Sequence, residues 1–127
     1  MADVIRGARH VIAVHDLAAT DAFYRDVLGF ERCFDDGNWT FYRLGAAFVM
    51  AGRCPDDLAP TALGSHSYVG YFDVDDVDAM HRRVAANGAE IVKPLCDEPW
   101  GQREFGVRSP EGHRWMFGQA VARNLYQ

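Results

Sequence analysis

The sequence predicts an α+β fold built from two βαβββ modules, whose curved mixed sheets form a cup with the helices on the outside. Strand-type and helix-type patterns follow the same order in each half of the chain, and turn residues separate them. Val14-x-Asp16-Leu17 also matches Val74-x-Asp76-Val77 at a spacing of 60 residues. Together these observations indicate an internal duplication within a single domain, residues 1–127. Module 1 covers about residues 8–51, a linker 52–65 and module 2 residues 66–119.

The first module begins with an apolar, β-branched run at residues 10–14, which is typical of a buried strand. Asp16 stands where a helix N-cap belongs, and the apolar residues of 17–28 fall on one helical face before Gly29. Three short β-type runs follow, separated by Asp35-Asp36-Gly37 and Gly45. They cover residues 30–34, 38–44 and 46–51.

The second module repeats this order after a linker that contains Pro55, Pro60 and Gly64. Asp75 or Asp76 caps a helix that runs to about residue 86, where Asn87-Gly88 ends it. The predicted strands cover residues 68–74, 89–92, 103–108 and 113–119. A loop is expected at 94–101 and a tight turn at Ser109-Pro110-Glu111-Gly112.

Composition narrows the possible functions. The net charge is −5 and no basic run occurs, which argues against nucleic-acid binding. No apolar stretch approaches the roughly 18 residues of a membrane span, and the N-terminus lacks a signal-peptide core, so we expect a cytoplasmic protein. The three cysteines are widely spaced and form no CxxC pair, which indicates neither a disulfide framework nor a zinc knuckle.

A module of this kind covers one sheet face with its helix and leaves the concave face open, so the residues on that face are expected to bind a small molecule. Trp39, Phe41 and Arg43 alternate onto one face of their strand. Tyr71 falls on the cup side, and Trp100 lies in a Pro-Gly loop at its mouth. Aromatic side chains would stack on a planar ligand, while Arg43 or Arg103 would hold an anionic group.

The adjacent Arg103 and Glu104 have two open interpretations. They could form a functional pair, or they could belong to solvated cross-strand charge pairs. The histidines at 15, 81 and 113 flank charged residues or turns, and a surface position is expected for each.

Two longer motifs carry a family resemblance. The first is Val14-His15-Asp16-Leu17 followed by Ala22-Phe23-Tyr24-Arg25-Asp26-Val27-Leu28-Gly29-Phe30; the second is Pro99-Trp100-Gly101-Gln102-Arg103-Glu104-Phe105 leading to Ser109-Pro110-Glu111-Gly112. With the element order, they resemble the vicinal oxygen chelate superfamily of glyoxalase I, extradiol dioxygenases and drug resistance proteins. The second motif is most similar to the bleomycin resistance branch, although Gln102 is one extra residue and Ser109 replaces the usual Asp. That branch implies metal-free drug binding by homodimers, in clefts between subunits.

Metal-dependent members of the superfamily place His or Glu at the cup-facing centre of four strands. Carried over by their spacing from the motifs, three of these positions fall on Arg9, Val69 and Met116, and the fourth strand is apolar. The resemblance therefore implies neither metal nor cofactor here. A bulge that turned His10 or His66 into the cup would change this expectation.

The sequence thus favours a metal-free, homodimeric protein that binds an antibiotic-like or aromatic compound. The alternative is a lyase, isomerase or dioxygenase, either metal-dependent or using Glu104, Asp73 or Tyr71 as acid or base. Leu125 and Tyr126 in the C-terminal tail are candidates for packing on a partner. The residues predicted to contact a ligand are Trp39, Phe41, Arg43, Tyr71, Trp100, Arg103, Glu104 and Met116.

Overall fold

The computed structural model describes residues 5–121, in which the order βαβββ occurs twice, and the predicted α+β class is confirmed. The strands of module 1 are β1 (His10–Val14), β2 (Glu31–Asp35), β3 (Trp39–Leu44) and β4 (Ala47–Arg53). The strands of module 2 are β5 (Tyr68–Asp73), β6 (Glu90–Asp97), β7 (Gln102–Arg108) and β8 (Arg114–Ala120). Leu125 and Tyr126, predicted to pack on a partner, lie outside the described residues.

Each module forms one four-stranded sheet, with the strand orders β1-β4-β3-β2 and β5-β8-β7-β6. The first strand of each module pairs in parallel with the last, and the other pairs are antiparallel. Ile12 lies opposite Ala51, and Phe72, 60 residues after Ile12, lies opposite Phe117. The duplication therefore follows the spacing of the strand and cap motif.

The first helix differs from its prediction. A continuous helix was expected over residues 17–28, but α1 (Leu17–Asp21) passes into a π-helix (Ala22–Val27). The N–H of Leu28 donates to the carbonyl of Phe23, an i→i+5 bond of 3.0 Å. This wider turn lets Phe23, Tyr24 and Leu28 all reach the core, where each is at most 4% exposed.

Both helices begin at predicted N-caps. Asp16 accepts hydrogen bonds from the N–H groups of Ala18 and Ala19, and Asp76 accepts one from Ala79 at the start of α2 (Val77–Ala86). Within residues 5–121, none of the helices has the length and apolar character of a membrane-spanning segment.

Strand β6 also differs from its prediction, because it continues to Asp97 where a loop was expected from residue 94. Two register shifts interrupt its pairing with β7, one on each side of Lys93. Pro94 is tolerated because β6 is an edge strand, where a missing N–H removes no bond to a second neighbour. The register shifts change which residues face the sheet surface that carries the candidate site.

The helix-covered faces of the two sheets share one core. Tyr24 of the π-helix stacks on Tyr42 of module 1 at a ring distance of 5.3 Å, and it meets Trp115 of module 2 edge-on at 6.1 Å. The indole Nε1–H of Trp115 donates to the hydroxyl of Tyr24 across 2.9 Å. Because this core lies on the helix-covered faces, the concave faces of both sheets point away from it.

The turn between β7 and β8 fastens module 2 to module 1. The carboxylate of Glu111 accepts hydrogen bonds from the backbone N–H groups of His15 and Asp16, at 2.6 and 3.0 Å. His113 bonds to the carbonyl of Ala13 through Nε2 at 3.1 Å, and its Nδ1 lies 3.4 Å from the hydroxyl of Ser109. These contacts fix the turn against the start of the first helix.

The expected surface position of His113 is wrong, since only 3% of the residue is exposed. Burial lowers the pKa of its imidazole below 6.5; neighbouring Glu111 opposes this shift and His15 adds to it. As pH falls below 6.5, His113 is protonated in the unfolded chain but stays neutral in the folded chain. The free energy of unfolding therefore decreases until the pH passes below the pKa of the folded state.

We therefore expect the wild-type protein to lose stability more steeply than His113→Gln between pH 6.5 and 5, measured by urea unfolding at each pH. Parallel slopes for wild type and His113→Gln would contradict the assignment.

Candidate functional site

The concave face of module 1 is aromatic. We call Phe34, Trp39, Phe41 and Phe48 the aromatic face. Phe41 lies at its centre, with ring distances of 4.8 Å to Phe34, 5.8 Å to Phe48 and 6.3 Å to Trp39. Trp39 and Phe34 remain 37% and 44% exposed. A contiguous exposed aromatic surface of this kind is typical of a binding or association site.

Two cations border the aromatic face. The guanidinium of Arg9 lies over the Phe48 ring, 4.6 Å from its centroid. Arg43 is on the face predicted for it, and 54% of its side chain is exposed. Its separation from the carboxylate of Glu31 is 4.0 Å, so a ligand can compete for it.

The concave face of module 2 is polar at its centre. We call Tyr71, Lys93, Glu98, Trp100 and Glu104 the polar cluster. Glu104 is only 5% exposed. Its Oε1 accepts from the indole Nε1–H of Trp100 at 3.1 Å and lies 3.5 Å from the hydroxyl of Tyr71, while its Oε2 is 3.7 Å from Nζ of Lys93. Glu104 thereby holds Tyr71, Trp100 and Lys93 around one buried carboxylate.

Tyr71 is fixed as a neutral hydrogen-bonding group. Its hydroxyl accepts from Nε2 of Gln102 at 2.7 Å. Burial raises the pKa of the phenol, Gln102 opposes that shift, and the charge of Glu104 adds to it. Tyr71 therefore keeps its proton near neutral pH and can offer a ligand a hydroxyl and a ring.

Lys93 and Glu98 form the outer part of the polar cluster. Nζ of Lys93 donates to Oε1 of Glu98 across 2.9 Å. The thiol of Cys96 also donates to Glu98, at 2.9 Å. Burial disfavours the charged lysine, but Glu98 and Glu104 outweigh it and raise the pKa of Lys93. Glu98 likewise raises the pKa of Cys96, so this sulfur stays a thiol.

In each module a glycine lies beneath an aromatic side chain of the concave face. Gly52 lies opposite Ala13 in the first sheet, and Gly118 lies opposite Asp73 in the second. A Cβ on Gly52 would lie 2.9 Å from the Trp39 ring, and a Cβ on Gly118 would overlap Tyr71. Each glycine therefore lets an aromatic ring lie flat on its sheet.

The predicted residues fall into two groups and one exception. Trp39, Phe41 and Arg43 come together on module 1. Tyr71, Trp100, Glu104 and Met116 come together on module 2, where Met116 lies against Gly106. Within residues 5–121, no hydrogen bond, ion pair or ring contact joins these two groups. The aromatic face and the polar cluster are therefore separate surfaces of one chain, and we refer to each of them as a half-site.

Arg103 is the exception. The interpretation that Arg103 and Glu104 form one functional pair is wrong, because the two side chains lie on opposite faces of the sheet. Neighbouring residues on a strand point to opposite faces. Nε of Arg103 lies 2.9 Å from Asp78 on α2, and Nη1 lies 3.0 Å from Asp97 on the paired strand. The cross-strand pairing interpretation holds for Arg103, which does not line the concave face.

Lys93 and Glu98 were missed from the sequence. Lys93 stands between two register shifts, and Glu98 lies within the segment 94–101 that was predicted as a loop. Nothing in the local pattern indicates the shifts, because they depend on how β6 meets β7. Lys93 and Glu98 are five positions apart, a separation that places two residues on opposite faces of a regular strand, so their spacing did not signal the pair.

The side chains do not fit the divalent ion of the metal-dependent relatives. Arg9, Val69 and Met116 occupy three of the implied positions, and none supplies an imidazole or carboxylate. His10 is partly buried and lies edge-on to the rings of Phe72 and Trp115, at 5.5 and 5.1 Å. His66 is exposed in a short 3₁₀ helix (Gly64–Ser67).

Solved structures with similar folds include TioX and a bleomycin-binding protein. TioX from Micromonospora sp. ML1 is 28% identical, with a TM-score of 0.72 over 91% of this chain and 97% of that chain. The bleomycin-binding protein of Streptomyces verticillus, solved with copper(II)-bleomycin, is 26% identical, with a TM-score of 0.70 over 97% of this chain and all of that chain (100%).

Sequence comparison finds relatives that match over part of their length and one matching family model. An uncharacterised protein of Mycobacterium bovis is 41% identical over 64 residues, which are 50% of this chain and 42% of that protein. The match to its counterpart in Mycobacterium tuberculosis covers 38% of that protein, so the similarity spans less than half of these curated relatives. A family model matches residues 7–117. The chain therefore belongs to the glyoxalase/bleomycin resistance protein/dioxygenase superfamily.

Proposed function

We propose that this protein binds a planar, antibiotic-like or aromatic small molecule and supplies no metal ion of its own. The observation that carries this proposal is the polar cluster, in which a buried carboxylate fixes Trp100, Tyr71 and Lys93 on a concave face. Ligand pockets combine apolar and aromatic walls with a few fixed polar groups, and the two half-sites together supply both. The similarity to the bleomycin-binding protein supports the same class of ligand.

The complete site forms between two copies of the chain. In one chain both half-sites point away from the shared core, and the aromatic face leaves Trp39 and Phe34 exposed. Their charges are complementary, since Arg9 and Arg43 border the aromatic face, while the two carboxylates Glu98 and Glu104 outnumber Lys93 in the polar cluster. Pairing the aromatic face of one protomer with the polar cluster of the second would cover both and enclose a ligand.

The contacts do not favour the enzymatic alternative. A general base must reach a proton of the substrate, but Glu104 is only 5% exposed, its Oε1 accepts from Trp100, and its Oε2 lies 3.7 Å from Nζ of Lys93. Tyr71 has a raised pKa, which makes its phenolate a rare species near neutral pH. The geometry therefore suits holding a ligand better than moving its protons.

A subunit-mixing experiment tests the composite site. Trp39→Ala and Tyr71→Ala each remove a partly exposed ring, so each should weaken binding of copper(II)-bleomycin by about tenfold, followed by Trp fluorescence and calorimetry. Mixing the two variants with subunit exchange should restore wild-type affinity at roughly a quarter of the sites, because half of the chains form mixed dimers with one intact site each.

Leu58→Ala serves as the control, since Leu58 is 76% exposed and belongs to neither half-site. It should bind like the wild type. If both ring variants bind weakly and mixing restores nothing, the site lies within one chain. If neither variant affects the binding of any aromatic probe, the proposed ligand class is wrong.

A further inference from the structure

A groove outside both half-sites runs along the junction of the two modules, with a volume of about 640 Å³. The π-helix lines one wall. The opposite wall combines the segment after α2, around Ala89, with the end of β7 and the turn at Ser109 and Pro110. Its size lies within the usual range of small-molecule pockets, about 300–1,000 Å³. It shares no residue with the aromatic face or the polar cluster.

The body of the groove is apolar. Ala19, Ala22, Phe23 and Val27 form the module 1 wall, and Ala89 and Pro110 face them from module 2. The i→i+5 bond from Leu28 to Phe23 widens the helix at this point. π-helical turns are rare and occur frequently at functional sites. Three alanines leave space that larger side chains would fill, so an apolar ligand body can lie between the modules.

The charges at the rim are unbalanced. Arg108 and Glu90 form a bidentate ion pair, with Nε 2.6 Å from Oε2 and Nη2 2.8 Å from Oε1, so their charges neutralise each other. Asp26, the next carboxylate along the rim, is exposed, and no hydrogen bond or ion pair joins it to another residue within 5–121. Among the residues that line the groove, two carboxylates and one guanidinium leave a surplus negative charge, and the guanidinium of Arg83 lies at one end, bonded to the carbonyl of Leu28.

We propose that this groove is a second ligand site, which takes a small organic cation with an apolar body, its ammonium group at Asp26. The apolar walls exclude strongly hydrated ions, and the surplus carboxylate selects against anions. Because its walls come from both modules, a bound ligand stabilises their packing. Arg83 and Asn87 of module 2, which donate to the carbonyls of Leu28 and Val27, already close one end of the junction.

Methyl NMR on protein labelled at alanine tests the proposal, with phenethylamine as the cation, phenethyl alcohol as its neutral analogue and phenylacetate as the anion. The methyl groups of Ala19, Ala22 and Ala89 report on the groove, and that of Ala13, exposed on the concave face of β1, reports on the half-site. We expect saturable shifts at the first three with the amine. The alcohol should bind about two- to fivefold more weakly, and phenylacetate more weakly still.

Asp26→Asn should make the amine and the alcohol bind equally. The control is Asp75→Asn, which removes an exposed carboxylate just before the N-terminus of α2, at the end of the helix away from the groove. This variant should still bind the amine more tightly than the alcohol. Ala22→Leu should abolish binding of all three probes, with the fold checked by circular dichroism. Shifts confined to Ala13, a lack of saturable shifts, or an anion that binds as tightly as the amine would overturn the proposal.

Discussion

Gly112→Ala is expected to destabilise the protein by about 3 kcal/mol or more, a large part of the roughly 5–15 kcal/mol of a typical domain. Gly112 has a φ of +105°, which an L-residue adopts at a cost of about 1–2 kcal/mol. An added Cβ would also lie 2.5 Å from the backbone nitrogen of Thr61. Backbone atoms cannot rotate aside, so overpacking adds about 1–3 kcal/mol.

The effect should be strong because Gly112 belongs to the turn that fastens module 2 to module 1. A shift of this turn would also disturb Glu111, whose carboxylate accepts from His15 and Asp16. Gly88→Ala is the matched control. Its φ is +90°, but no heavy atom lies within 4 Å of the added Cβ, so only the conformational cost of about 1–2 kcal/mol applies. Equal losses for both variants in urea unfolding would contradict the steric account.

The sequence could predict those features that depend on neighbouring residues along the chain. Asp16 and Asp76 were identified as caps because a carboxylate before an apolar run satisfies free N–H groups locally. The order of strands and helices along the chain followed from alternation and turn residues in the same way. Such signals require no knowledge of the other module.

The features that could not be predicted depend on contacts between distant segments. The π-helix arises where Tyr24 must meet both Tyr42 and Trp115, and only the second module supplies Trp115. The register shifts beside Lys93 depend on how β6 pairs with β7. Two of the five residues of the polar cluster were therefore missed, although Tyr71, Trp100 and Glu104 were identified.

The hydrogen bond between Tyr24 and Trp115 is expected to provide a measurable coupling between the modules. Both residues are at most 1% exposed, and the indole Nε1–H donates to the hydroxyl across 2.9 Å. Tyr24→Phe leaves that buried N–H without its partner and should lower the free energy of unfolding by about 1–3 kcal/mol. Trp115→Phe removes the donor together with part of a packed ring, at a cost of about 2–3 kcal/mol.

A double-mutant cycle separates the pair from its surroundings. Once the donor is gone, the Tyr24 hydroxyl contributes little, so the double variant should lose about 1–2 kcal/mol less than the two single losses together. Tyr24→Phe combined with Phe105→Leu is the control, because Phe105 packs on Phe117 and His81. That cycle should be additive within about 0.5 kcal/mol.

Coupling in the first cycle and additivity in the second would mean that the two modules stabilise each other through this contact. The orientation of the concave faces would then follow from the core, since the rings that join the modules also turn the aromatic face and the polar cluster away from each other. An additive first cycle would instead mean that the modules are held together by the turn at Glu111 and the apolar contacts. In that case, ligand binding at the two half-sites should be insensitive to Tyr24→Phe.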